Sequence, residues 1–509
     1  MTRALSDSHG FQSSFWRDAK TSTRDARAPR ISTLLIALFA VTLAHAAEFS
    51  DPAPPRVAEV KETEEPKAEP FDRLTFHTAP KPLAKGAITT DWPRFLGPND
   101  NATSPETHLL KTLPDGGPAR VWEVGKGVSF ACPAIAGERL VLFHRLDDKE
   151  TIECLHAETG KRFWIHQYAA PYEERYGGGK GPRSSPVIDG GRVFTRGITG
   201  ILHCLDLKTG AVIWQRDAAR EFDAAPNFFG LGGSPLVSGD KLIVPLGGAH
   251  GLSVAAFDKA TGKLAWGAES EWGASYASPI PAKIHGRDCI LALMGGESRP
   301  PTGGLLCIDA ANGKVLNATP WRARMAESVT ASSPVVAGNR VFISETYTEG
   351  GAAVGIAPDF SANIAWRAPK FGTYWMTPVL KDGHLYGFDG MSPQTAALVC
   401  CEVASGKEMW REDIAWKDDT KRGPRNRIIG RGQLLAADGA FLCLGENGQL
   451  AWLDLSPRGC TVLARTTLFD APETWTLPAL SRGLLYVCQN ERDAAGKPPR
   501  VICYDLRAP

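Results

Sequence analysis

One short pattern recurs along this chain and limits its possible folds more than any other feature. A Ser-Pro or similar pair leads into an apolar run. A turn then leads on to hydrophobic-Cys-hydrophobic-Asp, Thr-Gly-Lys and Trp. It reads Ser185-Pro186 … His203-Cys204-Leu-Asp206-Leu-Lys-Thr-Gly210-Ala-Val-Ile-Trp214 and returns as Ser234-Pro235 … Ala256-Phe-Asp258-Lys-Ala-Thr-Gly262-Lys-Leu-Ala-Trp266. Further copies end at Trp164 and Trp410, and degenerate ones at Asn317 and Trp366. Short alternating apolar runs bounded by Gly, Asp, Asn and Pro are antiparallel strands. Asp-x-x-Thr-Gly-Lys is turn chemistry, because Asp bonds the backbone two residues on and Gly accepts a positive φ. Four strands in roughly 40–55 residues make one blade of a β-propeller.

Two columns count the blades. The position before the first strand reads Pro133, Pro186, Pro235, Pro279, Pro334, Pro378 and Pro478, with a double-length gap before the last. An unmarked blade starting near Leu434 fills that gap and makes eight. The closing column reads Trp122, Trp164, Trp214, Trp266, Asn317, Trp366, Trp410 and, loosely, Val462. Arg120-Val-Trp122-Glu stands before the first full unit, and the last unit lacks a closing strand. The segment near Trp122 is therefore expected to pair with the Cys503-Tyr-Asp505 strand and close the ring, which removes exposed edges. The expected fold is all-β: an eight-bladed β-propeller of four-stranded antiparallel blades over residues 92–509.

Two segments precede it. Residues 1–46 combine a basic flank, an apolar run from Ile31 to Leu43 and a terminal Ala44-His-Ala46, the pattern of a cleaved signal peptide. The run is shorter than the ~20 residues of a spanning helix, so no transmembrane segment is expected in the mature chain. The first cysteine is Cys132, so no lipid-anchor cysteine follows the apolar run. The expected product is exported and soluble in the periplasm or cell envelope. Residues 47–91 are rich in Pro, Glu and Lys and hold too few apolar groups to offset ordering entropy. They are expected to form a disordered linker, a simple tether.

The charge balance, 57 Lys+Arg against 56 Asp+Glu, excludes a polybasic nucleic-acid binder. Catalytic and metal motifs are missing: no His-Glu-x-x-His, paired Cys-x-x-Cys, calcium loop or Gly-x-Ser-x-Gly. Neither catalytic residues nor metal ligands are assigned. Of 11 cysteines, Cys154, Cys204, Cys307, Cys400 and Cys503 share one repeat column. Equivalent positions in different blades sit too far apart for a disulfide, so these read as small buried plugs.

Aligning the blades gives the candidate site. Three residues before the proline column stand Phe130, Arg183, Gly232, Tyr276, Ala331, Trp375, Arg431 (counted from Leu434) and Trp475. In a propeller this loop lines one mouth of the central channel. Phe130, Arg183, Tyr276, Trp375, Arg431 and Trp475 are thus candidate ligand-binding residues, since Tyr, Trp and Arg are the usual anchors of recognition surfaces. The bland alternative is that the aromatic rings only fill the channel.

The Asp-x-x-Thr-Gly-x-x-x-Trp repeat resembles the tryptophan-docking repeat of the pyrroloquinoline-quinone-like β-propeller family. That family includes quinoprotein alcohol dehydrogenases and the outer-membrane barrel assembly lipoprotein. Asp91-Trp-Pro-Arg-Phe-Leu-Gly-Pro-Asn99 is similar to the start of its exported bacterial members. The resemblance implies either a scaffold or an enzyme, because the repeat is a packing device. We read the chain as a non-catalytic, monomeric scaffold for protein or peptide partners in the cell envelope, with no cofactor expected. The alternative is a dehydrogenase of alcohols or sugars using pyrroloquinoline quinone and calcium. That family's dehydrogenases set an adjacent-cysteine disulfide against the quinone, which draws attention to Cys400-Cys401. Both lie inside the apolar run Ala396–Val403, however, where strand neighbours face opposite sides.

Overall fold

A blade whose strands alternate apolar residues has two apolar faces, and a closed ring buries both of them. The computed structural model describes residues 49–509, apart from 61–63, 115, 174–178 and 421–422. Its strands form seven four-stranded antiparallel sheets and one five-stranded sheet, arranged as eight blades. The expected signal peptide lies outside the described residues. Among the described residues no helix is long and apolar enough to cross a membrane.

Blades 1 to 6 begin at the inner strands Ala134–Ala136, Val187–Asp189, Leu236–Ser238, Ile280–Ile284, Val335–Ala337 and Val379–Lys381. Blades 7 and 8 begin at Gln433–Ala437 and Ala479–Ser481. Blade 8 is completed from the other end of the propeller. Ala119–Gly125 pairs with Arg500–Asp505, setting Trp122 opposite Cys503. Ring closure therefore follows the expected register. The wide gap before Pro478 holds more than blade 7, because a hairpin of Ala415–Thr420 and Gly423–Ile428 is inserted ahead of it.

The tryptophan column staples each blade to the next. Trp164 of blade 1 donates its indole N–H to Leu207 O of blade 2 at 3.0 Å, and Trp214 of blade 2 donates to Lys259 O of blade 3 at 3.1 Å. The Thr-Gly turn of the following blade slides under the ring. Gly210 has φ +74°, and a Cβ there would stand 2.6 Å from the Trp164 ring. Only glycine meets both demands.

The cysteine column is buried, and all eleven cysteines are free thiols. Cys400 and Cys401 are neighbours on Ala397–Glu402 yet join two different apolar clusters, one on each face of blade 6.

The linker does not behave as a tether, which corrects that expectation. From Phe49 onward it lies as a strap along the outer edges of blades 3, 2, 1 and 8. Phe49 packs on the apolar cluster between blades 2 and 3. Asp51 accepts hydrogen bonds from Arg216 and from Leu264 N–H, at 2.8 and 2.7 Å. Ala58 N–H donates to Ile213 O at 2.8 Å. Glu65 pairs with Arg139, and Glu69 exchanges two backbone hydrogen bonds with Arg162. Arg73 pairs with the fully buried Glu153, and Leu74–Phe76 adds a fifth strand to blade 8. Composition had counted apolar groups only. The outer strands offer unpaired backbone and buried charges instead, and the strap satisfies them.

Candidate functional site

The loop leading into each inner strand builds the site. Proline fits the first position of such a strand because it fixes φ and has no N–H to leave unpaired. The residue just before it forms a hydroxyl ladder around the ring. Cys132 N–H donates to Ser185 Oγ at 2.9 Å, and Ser185 N–H to Ser234 Oγ at 2.9 Å. Ser234 N–H donates to Ser278 Oγ at 3.0 Å, Ser278 N–H to Ser333 Oγ at 3.1 Å, and Ser333 N–H to Thr377 Oγ1 at 3.1 Å. Other side chains carry it from blade 7 through blade 8 back to blade 1. Gln433 Nε2 donates to Trp475 O at 2.6 Å, and Thr476 Oγ1 to Phe130 O at 3.2 Å. Seven of the eight loop boundaries are thus bridged by hydrogen bonds, while between blades 6 and 7 Arg431 lies over the Trp375 ring at 4.3 Å, and the residues two positions before the ladder are held with it.

Those residues come together. Phe130, Arg183, Gly232, Tyr276, Ala331, Trp375, Arg431 and Trp475 all line one cavity of about 500 Å³. The six side chains singled out from sequence are each half-buried. Phe130 stacks on Trp475 with centroids 5.5 Å apart, and Trp475 lies 4.3 Å from Trp375. Tyr374 extends this wall at 4.3 Å from Trp375. Arg431 lies over Trp375 at 4.3 Å and Trp475 at 5.4 Å, while the buried Glu446 binds its guanidinium and its backbone N–H. Trp475 Nε1 donates to the same carboxylate at 3.1 Å. On the other side, Arg183 lies over Phe130 and Phe229 at 5.6 and 5.2 Å and donates to Gly181 O and Gly179 O. Tyr276 accepts the Phe229 N–H at 2.9 Å.

The aromatic residues therefore line a cavity as well as packing on one another. The channel itself is occupied by the segment around Asp91–Ser104. Its backbone bonds to the inner strands of blades 1, 2 and 7 at Ile135, Ile188 and Ala436, and its Phe95 reaches the cavity wall. Sequence reasoning missed Phe95, Phe229, Tyr374 and Glu473. They fall outside the repeat columns; Tyr374 and Glu473 were signalled only by their closeness to Trp375 and Trp475. Among the described residues Glu473 is the one carboxylate on the cavity wall. Burial first, then Glu491, pushes its pKa above the usual carboxylate range, against the pull of Arg431.

These residues do not fit a quinone held by calcium. A calcium ion needs six to eight oxygen ligands, carboxylates among them, and among the described residues the only carboxylate on the wall is Glu473. Among the described residues no group of three or more His, Cys, Asp or Glu side chains is placed to hold a metal. Cys400 and Cys401 lie within blade 6 and do not line the cavity.

The family model described as outer membrane protein assembly factor BamB matches residues 148–412, just over half of the chain. Curated proteins gave no significant sequence match. Quinohemoprotein alcohol dehydrogenase from Comamonas testosteroni is similar in structure, with a TM-score of 0.57 and 12% identity over 82% of this chain and 81% of that one. BamB from Moraxella catarrhalis gives a TM-score of 0.48 and 16% identity over 76% and 98%. A europium-containing methanol dehydrogenase gives 0.45 and 11% over 82% and 98%. At these identities the likeness is one of fold.

Proposed function

The chain belongs to the family described as outer membrane protein assembly factor BamB, and from that premise we propose that it is a non-catalytic binding scaffold of the cell envelope. Its partner is a protein or peptide that inserts an aromatic, anionic group into the channel mouth. One observation carries this reading: eight structurally equivalent loop residues converge on one cavity, and six of them are aromatic or arginine. A cavity of that size with a mainly apolar wall and a few placed polar groups is typical of ligand sites. Flat rings at Phe130, Trp475 and Trp375 accept another ring by offset stacking. Arg183, over the Phe130 and Phe229 rings, adds a positive charge to the wall that attracts a carboxylate.

A peptide ending in free phenylalanine carries both features, so it is the natural probe. Titrated into the full-length protein and followed by tryptophan fluorescence, it should give a saturable change. Its C-terminal amide should bind about tenfold more weakly, as should the Arg183→Ala and Trp475→Ala variants. Equal binding of acid and amide, or unchanged binding by folded variants, would sink the reading. Saturable binding of pyrroloquinoline quinone with calcium, followed by dye-linked alcohol oxidation, would replace it with the dehydrogenase.

Export rests on the basic flank, the apolar run Ile31–Leu43 and the small residues at Ala44 and Ala46. A mature chain beginning at Ala47 is the expected result of amino-terminal sequencing.

A further inference from the structure

The buried arginines follow one rule with one exception. Among the described residues, Arg139, Arg145, Arg216, Arg427, Arg500 and Arg507 are buried, and each pairs with an acidic side chain: Glu65, Asp148, Asp51, Asp418, Glu123 and Glu158 respectively. Arg196 is fully buried and has no such partner. It ends the second strand of blade 2, Arg192–Arg196. From there it reaches the lead-in loop of blade 3, where Nη1 donates to Gly233 O at 3.2 Å. Its Nε and Nη2 have no hydrogen-bond partner among the described residues.

A guanidinium in this position carries a problem of charge. Burial lowers its pKa to about 9, and no acidic group acts on it. It therefore stays protonated at neutral pH. An uncompensated buried cation is among the costliest features a fold can contain. Polar groups left over at the same end of the blade point to the remedy. Ser184 lies in the lead-in loop of blade 2, three residues ahead of Val187, which pairs with Phe194 two residues before Arg196. Ser184 is fully buried, and its Oγ has no partner among the described residues either.

We propose that the Arg196 guanidinium, with Ser184, holds a small monoatomic anion of the chloride class between blades 2 and 3, directly behind the channel mouth. The leftover donors decide the ligand class. Arg196 has one N–H on Nε and two on Nη2 to place, and Ser184 has one O–H. A halide accepts that number and brings no further oxygen atoms needing donors. Phosphate or sulfate would bring more acceptors than the site can satisfy and a second charge to desolvate. The site links blade 2 to a loop that carries Gly232 of the mouth and Ser234 of the hydroxyl ladder. The anion is thus a structural ligand that positions the mouth.

Bromide replaces chloride and scatters anomalously. Crystals of the full-length protein, purified and grown in bromide, should show an anomalous peak in contact with Arg196 Nε and Nη2. A water at that position with no anomalous signal overturns the proposal, even if bromide sits elsewhere on the surface. Solution behaviour gives a second arm. Replacing gluconate by chloride at constant ionic strength should raise the thermal midpoint of the native protein, as for any ligand that binds only the folded state. Arg196→Gln should abolish that shift. An equal chloride shift in native protein and in a folded Arg196→Gln variant also overturns it, and the crystallographic arm needs no variant.

Discussion

Ser333 N–H donates to Thr377 Oγ1 at 3.1 Å across the boundary between blades 5 and 6, the last rung of a ladder that begins at Cys132. Both residues are buried, so water cannot replace the lost partner. Thr377→Val keeps the shape but removes the acceptor, leaving the Ser333 N–H unsatisfied. It should lower stability by about 1–3 kcal/mol, whereas Thr377→Ser, which keeps the hydroxyl, should cost under about 1.5 kcal/mol. Urea denaturation of the two variants checks this. Equal losses would mean that the rung is a packing contact and not a hydrogen bond.

The contact between Gly210 and the Trp164 ring makes a second prediction. Gly210→Ala meets a left-handed backbone and a ring only 2.6 Å from the new Cβ. Gly239 has φ +59° with nothing within 4 Å. Gly239→Ala should therefore cost only the backbone term, about 1–2 kcal/mol. Gly210→Ala should cost about 1–3 kcal/mol more, because the blade boundary must also yield. A pair of denaturation curves decides it, and similar midpoints would show that Trp164 moves aside freely.

The mouth was legible in the sequence for a physical reason. A proline and a tryptophan recur once per blade, so residues at fixed offsets from them are equivalent in space, and Arg183 and Trp475 could be placed together although they are far apart in sequence. Ring closure at Trp122 followed from the same register. The strap was not legible, because Asp51 with Arg216 and Arg73 with Glu153 are joined by folding alone and follow no period. The hairpin Ala415–Ile428 was hidden for a related reason. Its charged strands carry no blade motif, and the gap it occupies had already been assigned to blade 7. The segment at Asp91–Ser104 carries the family-like opening Asp91–Asn99 but has no periodic signature of its place inside the ring.

Asp51 gives the strap a dependence on acid. Burial acts to raise its pKa, but the hydrogen bonds from Arg216 and Leu264 N–H outweigh that and hold it below its ordinary 3.8. A carboxyl depressed in the folded state stabilises above its unfolded pKa, and the stabilisation is lost as pH falls through the folded value. Hydrogen-exchange protection at residues 49–60, taken relative to the intrinsic rate at each pH, should thus be high at pH 6 and fall more steeply than in the blades once the pH drops below about 4. Asp51→Asn should speed exchange of the strap at pH 6 and remove the acid step. A variant with native exchange at both pH values would show that the other strap contacts suffice.

His203 works at a higher pH and in the core. It is fully buried on the face of blade 2 that meets blade 1, with His166 at 5.1 Å, Tyr168 at 4.3 Å and Glu150 bound to the Tyr168 hydroxyl at 2.7 Å. Burial first, and then His166, lowers its pKa from 6.5 to about 3. The folded protein therefore keeps His203 neutral where the unfolded chain binds a proton. Stability from this group is complete above about pH 6.5 and falls as the pH drops toward 3, by at most about 1.4 kcal/mol per pH unit. His203→Gln removes the proton from both states. Urea midpoints measured between pH 4 and 6.5 should slope less in this variant, by up to one proton's worth. The reverse sign, a native protein gaining stability from this site in acid, would require an anionic partner for His203. Glu150 is already committed to the Tyr168 hydroxyl and the Ile198 N–H, so a shallower acid slope is the outcome the packing dictates.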